Sequence, residues 1–426
     1  MTNTVMRVGR TAAVLAILAT SWATAVSAQE ARPLGAAQPR LPEHLSEPQG
    51  FVIEPGWIER AVLFGDRRLG NGELKEGWYI DRGSLIPGAG WLAGGPGYRW
   101  WLSDDRIVAD ASAAFSWHAY RSAQARIEAA DLAGGRLLAG SQIRWQDFPQ
   151  VKYYGQGPGT LEAHRSQYGF QSTNLVGYAL FKPARWLGVG ASAGWLAPSV
   201  TAPGGFFEGD DPDARVRFAS DPGFGLADQP SFIHAEASVT ADTRDFANRP
   251  TSGGLYRAAA ANFSDRDTGA FSFRRYQAEA AQFVPMADSR LVLALHGWLV
   301  ASGADDVVPF YLQPSLGGHN SLRGHAEYRF HDRNMLLATV EMRAAMMTHV
   351  DLALFADAGN VAARAGDLNL DKRSYGAGLR LHSRRQTFAR LDLARGSEGW
   401  RLFLRLEDPL ALARLAKRTA PAPFVH

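Results

Sequence analysis

Residues 232–242 read Phe-Ile-His-Ala-Glu-Ala-Ser-Val-Thr-Ala-Asp, and polar and apolar side chains alternate along this stretch with a period of two. The polar positions are His234, Glu236, Ser238, Thr240 and Asp242, and the apolar positions between them are Ile233, Ala235, Ala237, Val239 and Ala241. Successive side chains of a β-strand point to opposite faces, whereas a helix repeats every 3.6 residues. The stretch therefore predicts a strand with one polar and one apolar face.

The same alternation recurs along the chain, for example at 106–118 and 400–407. The repeated stretches are roughly 10–14 residues long, which exceeds the ~5–6 residues of a soluble strand and suits a tilted strand that crosses a bilayer. We predict fifteen such strands, near residues 89–101, 106–119, 121–133, 136–148, 167–182, 186–198, 231–244, 253–265, 272–286, 290–303, 335–346, 349–361, 374–383, 387–397 and 399–408.

The connections between these strands alternate in length. Tight turns such as Gly134-Gly135 and Met347-Thr348 follow one end, and long segments such as 199–230 and 304–334 follow the other. Short turns on one side and long loops on the other are typical of transmembrane barrels, and bacterial single-chain barrels have an even number of strands. We therefore predict an all-β fold, a 16-stranded antiparallel transmembrane β-barrel, whose sixteenth strand lies upstream within 51–86.

Composition agrees with a barrel. The 426 residues have a mean hydropathy of −0.19, and 20% of them are charged. A barrel averages a polar lumen face with an apolar lipid face, so neutral hydropathy is expected of it. The chain has no cysteine, which excludes disulfides, thiolate zinc sites and a cysteine nucleophile.

The N-terminus predicts export. Arg7 and Arg10 precede the apolar stretch Ala-Val-Leu-Ala-Ile-Leu-Ala, and Val26-Ser27-Ala28 supplies a small-residue cleavage site. We interpret 1–28 as a signal peptide rather than a single membrane anchor, 29–50 as a periplasmic N-terminal linker, 51–408 as the barrel and 409–426 as a C-terminal tail. Removal of 1–28 takes away two arginines and no acid, so the net charge falls from +3 to +1 and indicates no nucleic-acid partner.

Four segments resemble the bacterial surface antigen superfamily, which includes the BamA and TamA outer-membrane assembly proteins. Leu316-Gly317-Gly318-His319-Asn320-Ser321-Leu322-Arg323-Gly324 resembles its Gly-Gly…Leu-Arg-Gly loop, and Phe355-Ala356-Asp357-Ala358-Gly359 resembles its Phe-x-Asp-x-Gly strand. Asp242-Thr243-Arg244-Asp245 followed by Pro250-Thr251-Ser252-Gly253 resembles its Asp-x-Arg-Asp…Pro-x-x-Gly hairpin, and Tyr153-Tyr154-Gly155-Gln156-Gly157 resembles a Tyr-Gly-x-Gly segment. The four occur in family order over about residues 75–408.

The resemblance implies that the long loop folds back into the lumen, where Arg323 pairs with acids on two adjacent strands. The acids that match by position are Glu341 and Asp357, and the alternation independently places both on the polar face. We name Arg323, Gly324, Glu341, Asp357 and Gly359 the lumen-loop lock. The hairpin motif comprises Asp242, Arg244, Asp245, Pro250 and Gly253.

The resemblance further implies a Gram-negative outer-membrane protein, reached by Sec-type export, that assists insertion or translocation of proteins or lipids. Its partners would be outer-membrane lipid and either client outer-membrane proteins or a separate periplasmic factor. Residues 29–50 are too few for a periplasmic POTRA domain, so we expect a short member without them. His325 stands where the family loop continues with an aromatic residue.

Two other functions remain open from the sequence. A plugged barrel could serve as a passive pore or a structural outer-membrane protein. Hydrolysis is the third option, but the chain has neither a Gly-x-Ser-x-Gly elbow nor a His-Glu-x-x-His motif. We therefore predict no catalytic residues, no cofactor and no metal, and we interpret Asp104-Asp105 and Asp210-Asp211-Pro212-Asp213 as solvated acids.

Overall fold

The computed structural model describes residues 50–69, 76–81, 93–103, 106–205, 211–219, 226, 228–406, 408, 410 and 412. Strands dominate it, with two helices, α1 (Gly56–Leu69) and α2 (Ala214–Arg217). The strands are β1 (Gly77–Asp81), β2 (Ala93–Leu102), β3 (Ile107–Ser116), β4 (Arg121–Leu132), β5 (Leu137–Tyr153), β6 (Ser166–Ala184), β7 (Leu187–Thr201), β8 (Phe232–Asp242), β9 (Gly253–Asp265), β10 (Phe273–Met286), β11 (Leu291–Ser302), β12 (Ser315–Leu316), β13 (Phe330–His331), β14 (Asn334–Met347), β15 (Val350–Ala362), β16 (Lys372–His382), β17 (Thr387–Gly396) and β18 (Gly399–Arg405).

Sixteen of these strands form one antiparallel sheet, and each pairs with its neighbour in chain order from β1 to β18. The two-residue strands β12 and β13 pair only with each other, inside the long loop between β11 and β14. The predicted fold class is confirmed, and the sixteenth strand is β1, within the expected 51–86. Its five residues are too few for the period-two pattern to locate it.

Polar and apolar residues separate onto the two faces of the sheet. On β15, Asp351, Phe355 and Asp357 are buried on the inner face, whereas Leu352 and Leu354 are exposed on the outer face. Exposed apolar side chains continue around the outer face, including Ile143, Leu175, Val189, Ile233, Val340, Leu379, Leu391 and Leu402. An apolar exterior around a polar interior is the arrangement that a bilayer requires of a barrel.

Contacts across the interior show that the sheet curls around a lumen. The turn between β8 and β9 reaches the far wall, where Arg249 pairs with Asp351 of β15 at 3.1 Å. Asn248 also forms a bridge with Gln386, between β16 and β17. The turn therefore spans the short-turn end of the lumen, the end at which tight turns such as 287–290 and 348–349 lie. We call the opposite end the long-loop end.

The long loop, residues 303–333, fills the long-loop half of the lumen. Its Phe310, Tyr311 and Tyr328 belong to a buried aromatic cluster with Tyr153 and Phe170 of the wall. A second cluster packs Leu316, Leu322 and Phe330 of the loop against the wall residues Trp298, Val300, Met335, Leu337 and Val361. Burial of this apolar surface holds the loop inside the barrel.

Helix α1 is one of the elements that the sequence did not lead us to predict. Phe51 and Val52 donate backbone hydrogen bonds to the end of β14, and Ile58 and Val62 pack against Val350. Val350 lies two residues from Leu352 on the same strand and therefore points outward as well. Helix α1 thus lies outside the barrel, at the short-turn rim. No helix among the described residues is long and apolar enough to cross a membrane.

The chain beyond β18 turns into the short-turn end of the lumen. Asp408 is buried, and Leu410 and Leu412 pack in a cluster with Phe283 and Val292 of the inner wall. The other tail residues, the proposed signal peptide 1–28, and the linker except Gly50 lie outside the described residues. Their assignments stay predictions.

Candidate functional site

The structure brings Arg323, Glu341 and Asp357 together inside the lumen. Arg323 donates from Nε to Asp357 Oδ2 at 3.0 Å and from Nη2 to Oδ1 at 2.8 Å, a bidentate pair. Its Nη1 donates to Glu341 Oε2 at 2.6 Å, and its backbone N–H donates to Asp357 at 3.1 Å. Planar guanidinium donors match carboxylates in this way, so the contact fixes both the position and the orientation of the loop.

The surroundings of Arg323 favour its charged state. Its guanidinium carbon lies 3.4 Å from the centre of the Phe355 ring, and Arg323 is 2% exposed. Burial alone lowers the pKa of Arg323, but Asp357 and Glu341 outweigh it and raise that pKa above its ordinary value. Thr339 and Ser374 also donate hydrogen bonds to Asp357, which saturates this carboxylate.

Arg323 is one member of a larger ion-pair network. Arg343 joins Glu341 to Asp408, each at 2.8 Å, and Arg380 joins Glu341 to Asp392. Arg390 pairs with Asp392 at 2.7 Å and donates to the backbone oxygen of His319 in the loop. The network holds four guanidinium groups and four carboxylates, with side chains at most 4% exposed. It is charge-balanced, and it ties the loop, β14–β17 and the tail into one unit.

Sequence reasoning did not single out Arg380, Arg390 and Asp392. A signal was present, because all three occupy inner-face positions of adjacent strands where neutral polar residues would suffice. Several charges on one face of one hairpin in a lumen indicate a paired cluster, since unpaired buried charges are costly. Asp408 had no such signal, because it lies beyond the last strand.

Glycines allow the loop to approach the wall closely. A Cβ on Gly324 would lie 2.4 Å from the backbone nitrogen of Gly396, at the turn between β17 and β18. Gly317 has φ +115°, and a Cβ there would lie 2.1 Å from the oxygen of Ala326. Gly359 leaves room on β15 for Leu316 of the loop. Larger side chains would force the backbone apart at these positions.

His325 takes the place of the aromatic residue that the family loop has after Arg-Gly. Its ring centre lies 5.4 Å from that of Phe330, and Nε2 lies 3.3 Å from Ser397 Oγ. Burial, together with the charges of Arg329, Arg401 and Lys372, lowers the pKa of His325 to about 4. The imidazole is therefore neutral at pH 7 and packs as a small aromatic ring.

The hairpin motif builds the turn that spans the short-turn end. Arg244 pairs bidentately with Asp242 at 2.8 Å for each bond, and Asp245 accepts from the backbone of Thr251 at 2.9 Å. Gly253 has φ +81°, and a Cβ there would meet the oxygen of Thr243 at 2.1 Å. Pro250 is buried in the same turn. These contacts fix the turn that carries Arg249 to Asp351.

The Tyr-Gly-x-Gly segment contacts the loop as well. Gly157 donates its backbone N–H to His331 O at 2.7 Å, and Gln156 donates to Asp332 Oδ1 at 3.0 Å. All four segments of the resemblance thus meet the lumen or its ends.

Among the described residues, no three His, Asp or Glu side chains are placed to hold a metal ion. Asp104, Asp105 and Asp210 lie outside the described residues, and Asp211 and Asp213 pair with arginines.

Comparison with known proteins supports the fold. Residues 222–396, less than half of the chain, match the Omp85 superfamily domain, and this range contains both the lumen-loop lock and the hairpin motif. No curated protein sequence matches the chain. The crystal structure of BamA from Haemophilus ducreyi lacking POTRA domains 1-3 superposes with a TM-score of 0.57 at 12% identity, covering 79% of this chain and 71% of that chain. At this identity the superposition shows the fold alone.

Two further solved structures are similar at lower TM-scores. CdiB from Acinetobacter baumannii superposes with a TM-score of 0.46 at 12% identity, covering 77% of this chain and 58% of that chain. CdiB from Escherichia coli gives 0.47 at 13% identity, covering 76% and 60%. The chain thus spans less than two thirds of either CdiB.

Proposed function

We propose a function from the premise that this chain is an outer-membrane β-barrel of the Omp85 type, with the superfamily domain at residues 222–396: it assists the insertion or translocation of other molecules at the outer membrane. The candidate clients are outer-membrane proteins or lipids. The observation that carries the proposal is the filled lumen. With its interior occupied, this barrel would act on other molecules through its wall and its strand edges.

Both halves of the lumen are occupied. At the long-loop end, the loop is held by Arg323 and by the aromatic cluster around Tyr311. At the short-turn end, the lumen is crossed by the turn that carries Arg249 and is entered by Leu410 and Leu412. Opening a continuous pore would require the loss of buried charge-assisted bonds and of apolar packing together.

The edges of the sheet would supply a route that leaves the lumen closed. The strand order begins with β1, which has five residues, and ends with β18, which has seven. A short strand contributes few ladder hydrogen bonds, so a seam between two short strands separates at low cost. A client strand can add to such an edge by backbone hydrogen bonding, which is sequence-tolerant and suits varied clients. That β1 and β18 meet in such a seam is part of the proposal.

The lock would support this role from inside. β14 and β15 carry Glu341 and Asp357, and the Gly324 backbone touches the turn that leads into β18. Arg405 of β18 also pairs with Glu327 of the loop at 2.8 Å. The loop would thus hold the last hairpin in place while the edge is used.

The test is client folding in liposomes. A urea-unfolded client barrel is diluted into vesicles that contain the full chain, and the fraction folded is followed by heat-modifiable migration on gels. We expect acceleration over empty vesicles. A synthetic peptide of residues 399–406, Gly-Trp-Arg-Leu-Phe-Leu-Arg-Leu, should compete for the edge and remove the acceleration, whereas a scrambled peptide of the same composition should not.

The second candidate is a plugged barrel that serves as a passive pore or a structural protein. The charge-balanced network favours the structural form, since it stiffens the barrel without any client. Planar-bilayer conductance separates the two functions. Stable conductance without acceleration of client folding would reject the assembly role and leave the pore, and neither conductance nor acceleration would leave a structural barrel.

A further inference from the structure

The outer wall carries a concave apolar groove across β11 and β14–β18. This open groove has a volume of about 580 Å³, within the ~300–1,000 Å³ range of ligand sites in proteins. Its lining runs from Leu293 on β11 to Trp400 on β18. The floor includes Ala356 and Ala377, outward positions whose neighbours Leu354, Tyr375 and Leu393 are much larger. The groove is therefore a shallow depression in the apolar exterior, formed where small residues lie among larger ones.

Two arginines stand at the long-loop end of this groove. Arg395 lies opposite both Tyr375 and Trp400 in the strand register, and Arg373 lies two residues beyond Tyr375 on β16. Both are exposed, and neither forms an ion pair with any residue that the structure describes. Arg395 packs 5.5 Å from the Trp400 ring centre, and Arg373 donates to the backbone oxygen of Leu370 at 3.3 Å. Diagonal partners on one sheet face are ~7–8 Å apart, close enough for both guanidinium groups to reach one anion.

The surroundings decide which ligand this site can take. Tyr375 and Trp400 are more than half exposed, and aromatic residues of this kind mark the boundary between hydrocarbon and head groups. The apolar groove therefore faces hydrocarbon, which a water-soluble ligand does not enter, and the arginines lie at head-group level. Arginine binds phosphate through bidentate hydrogen bonds. The site therefore fits a ligand with a phosphate at head-group level and acyl chains in the hydrocarbon layer.

We propose that this groove binds a phosphorylated, multiply acylated lipid of the outer leaflet, the lipid A class, with its phosphate held by Arg373 and Arg395. The groove crosses six neighbouring strands, a span of roughly 24 Å at ~4.8 Å spacing, so more than one acyl chain can lie against it. The position at the long-loop end assigns the lipid to the outer leaflet, since short turns of these barrels face the periplasm. The site is separate from the lumen and holds whether or not the chain assists insertion.

The experiment measures lipids retained by the full-length protein in detergent, by native mass spectrometry. The probes are purified lipid A, phosphatidylglycerol and zwitterionic phosphatidylcholine. The paired variant is Arg373→Gln with Arg395→Gln. Its matched control is Arg121→Gln with Arg266→Gln, which removes the same charge from exposed positions at the long-loop ends of β4 and β9.

We expect wild type to retain lipid A at least tenfold better than phosphatidylcholine, the paired variant to lose about tenfold of that retention, and the control to stay within twofold of wild type. Ala377→Phe tests the groove separately, because it fills the floor and leaves both arginines in place. It should also reduce retention, with unchanged heat-modifiable migration showing that the barrel is folded. Equal retention of phosphatidylglycerol, or undiminished binding by the paired variant, would overturn the proposal.

Discussion

Arg343 on β14 pairs with Asp408 at 2.8 Å, which ties the segment beyond β18 to the inner wall. Thr387 adds a hydrogen bond to the same carboxylate, and Asp408 accepts from the backbone of Leu410. Asp408 thus orients the turn that brings Leu410 and Leu412 into the lumen. A single carboxylate links the end of the chain to the network that also holds Arg323.

We predict that Asp408→Asn releases this segment. The neutral amide weakens its bonds to Arg343 and Thr387, while Arg343 keeps Glu341 as a partner, so the barrel should stay folded. The chain has no cysteine, so Leu412→Cys gives a single labelling site. A membrane-impermeant maleimide should react about tenfold faster in the Asp408→Asn background. Asp371→Asn, an exposed loop acid at the opposite end, is the control, and equal rates in both backgrounds would contradict the assignment.

Arg323→Ala should destabilise the barrel strongly. Removing one partner of a buried ion pair leaves carboxylates without compensation and costs roughly 3–5 kcal/mol. The temperature at which the folded gel band is lost should fall clearly. Arg323→Lys should fall less, because lysine keeps the charge but cannot form the bidentate bond to Asp357.

The control for this prediction is Arg257→Ala. Arg257 pairs with Glu236 on the neighbouring strand, so its loss removes a lumen ion pair of the wall and leaves the loop in place. Equal effects of Arg323→Ala and Arg257→Ala on stability and on client folding would show that the loop contact has no special role. A selective loss of client folding in Arg323→Ala would support the lock as a working part.

The strands and the lock could be foreseen from the sequence for different reasons. Strands such as β9 follow from local alternation, and its observed bounds, Gly253–Asp265, equal the predicted 253–265. The juxtaposition of Arg323 with Asp357 came from resemblance, because nothing local in the sequence pairs residues that lie 34 positions apart. Helix α1 and the inward turn at Asp408 were missed. The place where the chain ends meet the barrel is not encoded in a periodic pattern, but the helical spacing of Ile58, Ala61 and Val62 was a signal for α1 itself.

His325 should make stability depend on pH. Its pKa is about 4 in the folded protein and ~6.5 in an unfolded chain. Between these values the unfolded chain binds a proton that the folded protein does not, so stability falls as the pH drops from about 6.5 to about 4. His325→Phe should remove this part of the pH dependence. Thermal melting at pH 7.5, 5.5 and 4.5 would measure it, and identical pH profiles of wild type and variant would contradict the prediction.

Gly324→Ala tests the close approach of the loop to the last hairpin. The added Cβ would lie 2.4 Å from the nitrogen of Gly396 and 2.5 Å from the carbonyl carbon of Arg395. Both are backbone atoms, so a side-chain rotation cannot relieve the clash. Either the loop or the turn before β18 must shift, and the contacts of His325 with Ser397 would be lost with it.

Gly366→Ala is the matched control, because a Cβ there meets nothing within 4 Å. We expect Gly324→Ala to lower the melting temperature and to speed proteolysis of the loop, with Gly366→Ala close to wild type. If both variants behave alike, the loop does not bear on β18, and the proposed support of the last hairpin fails with it.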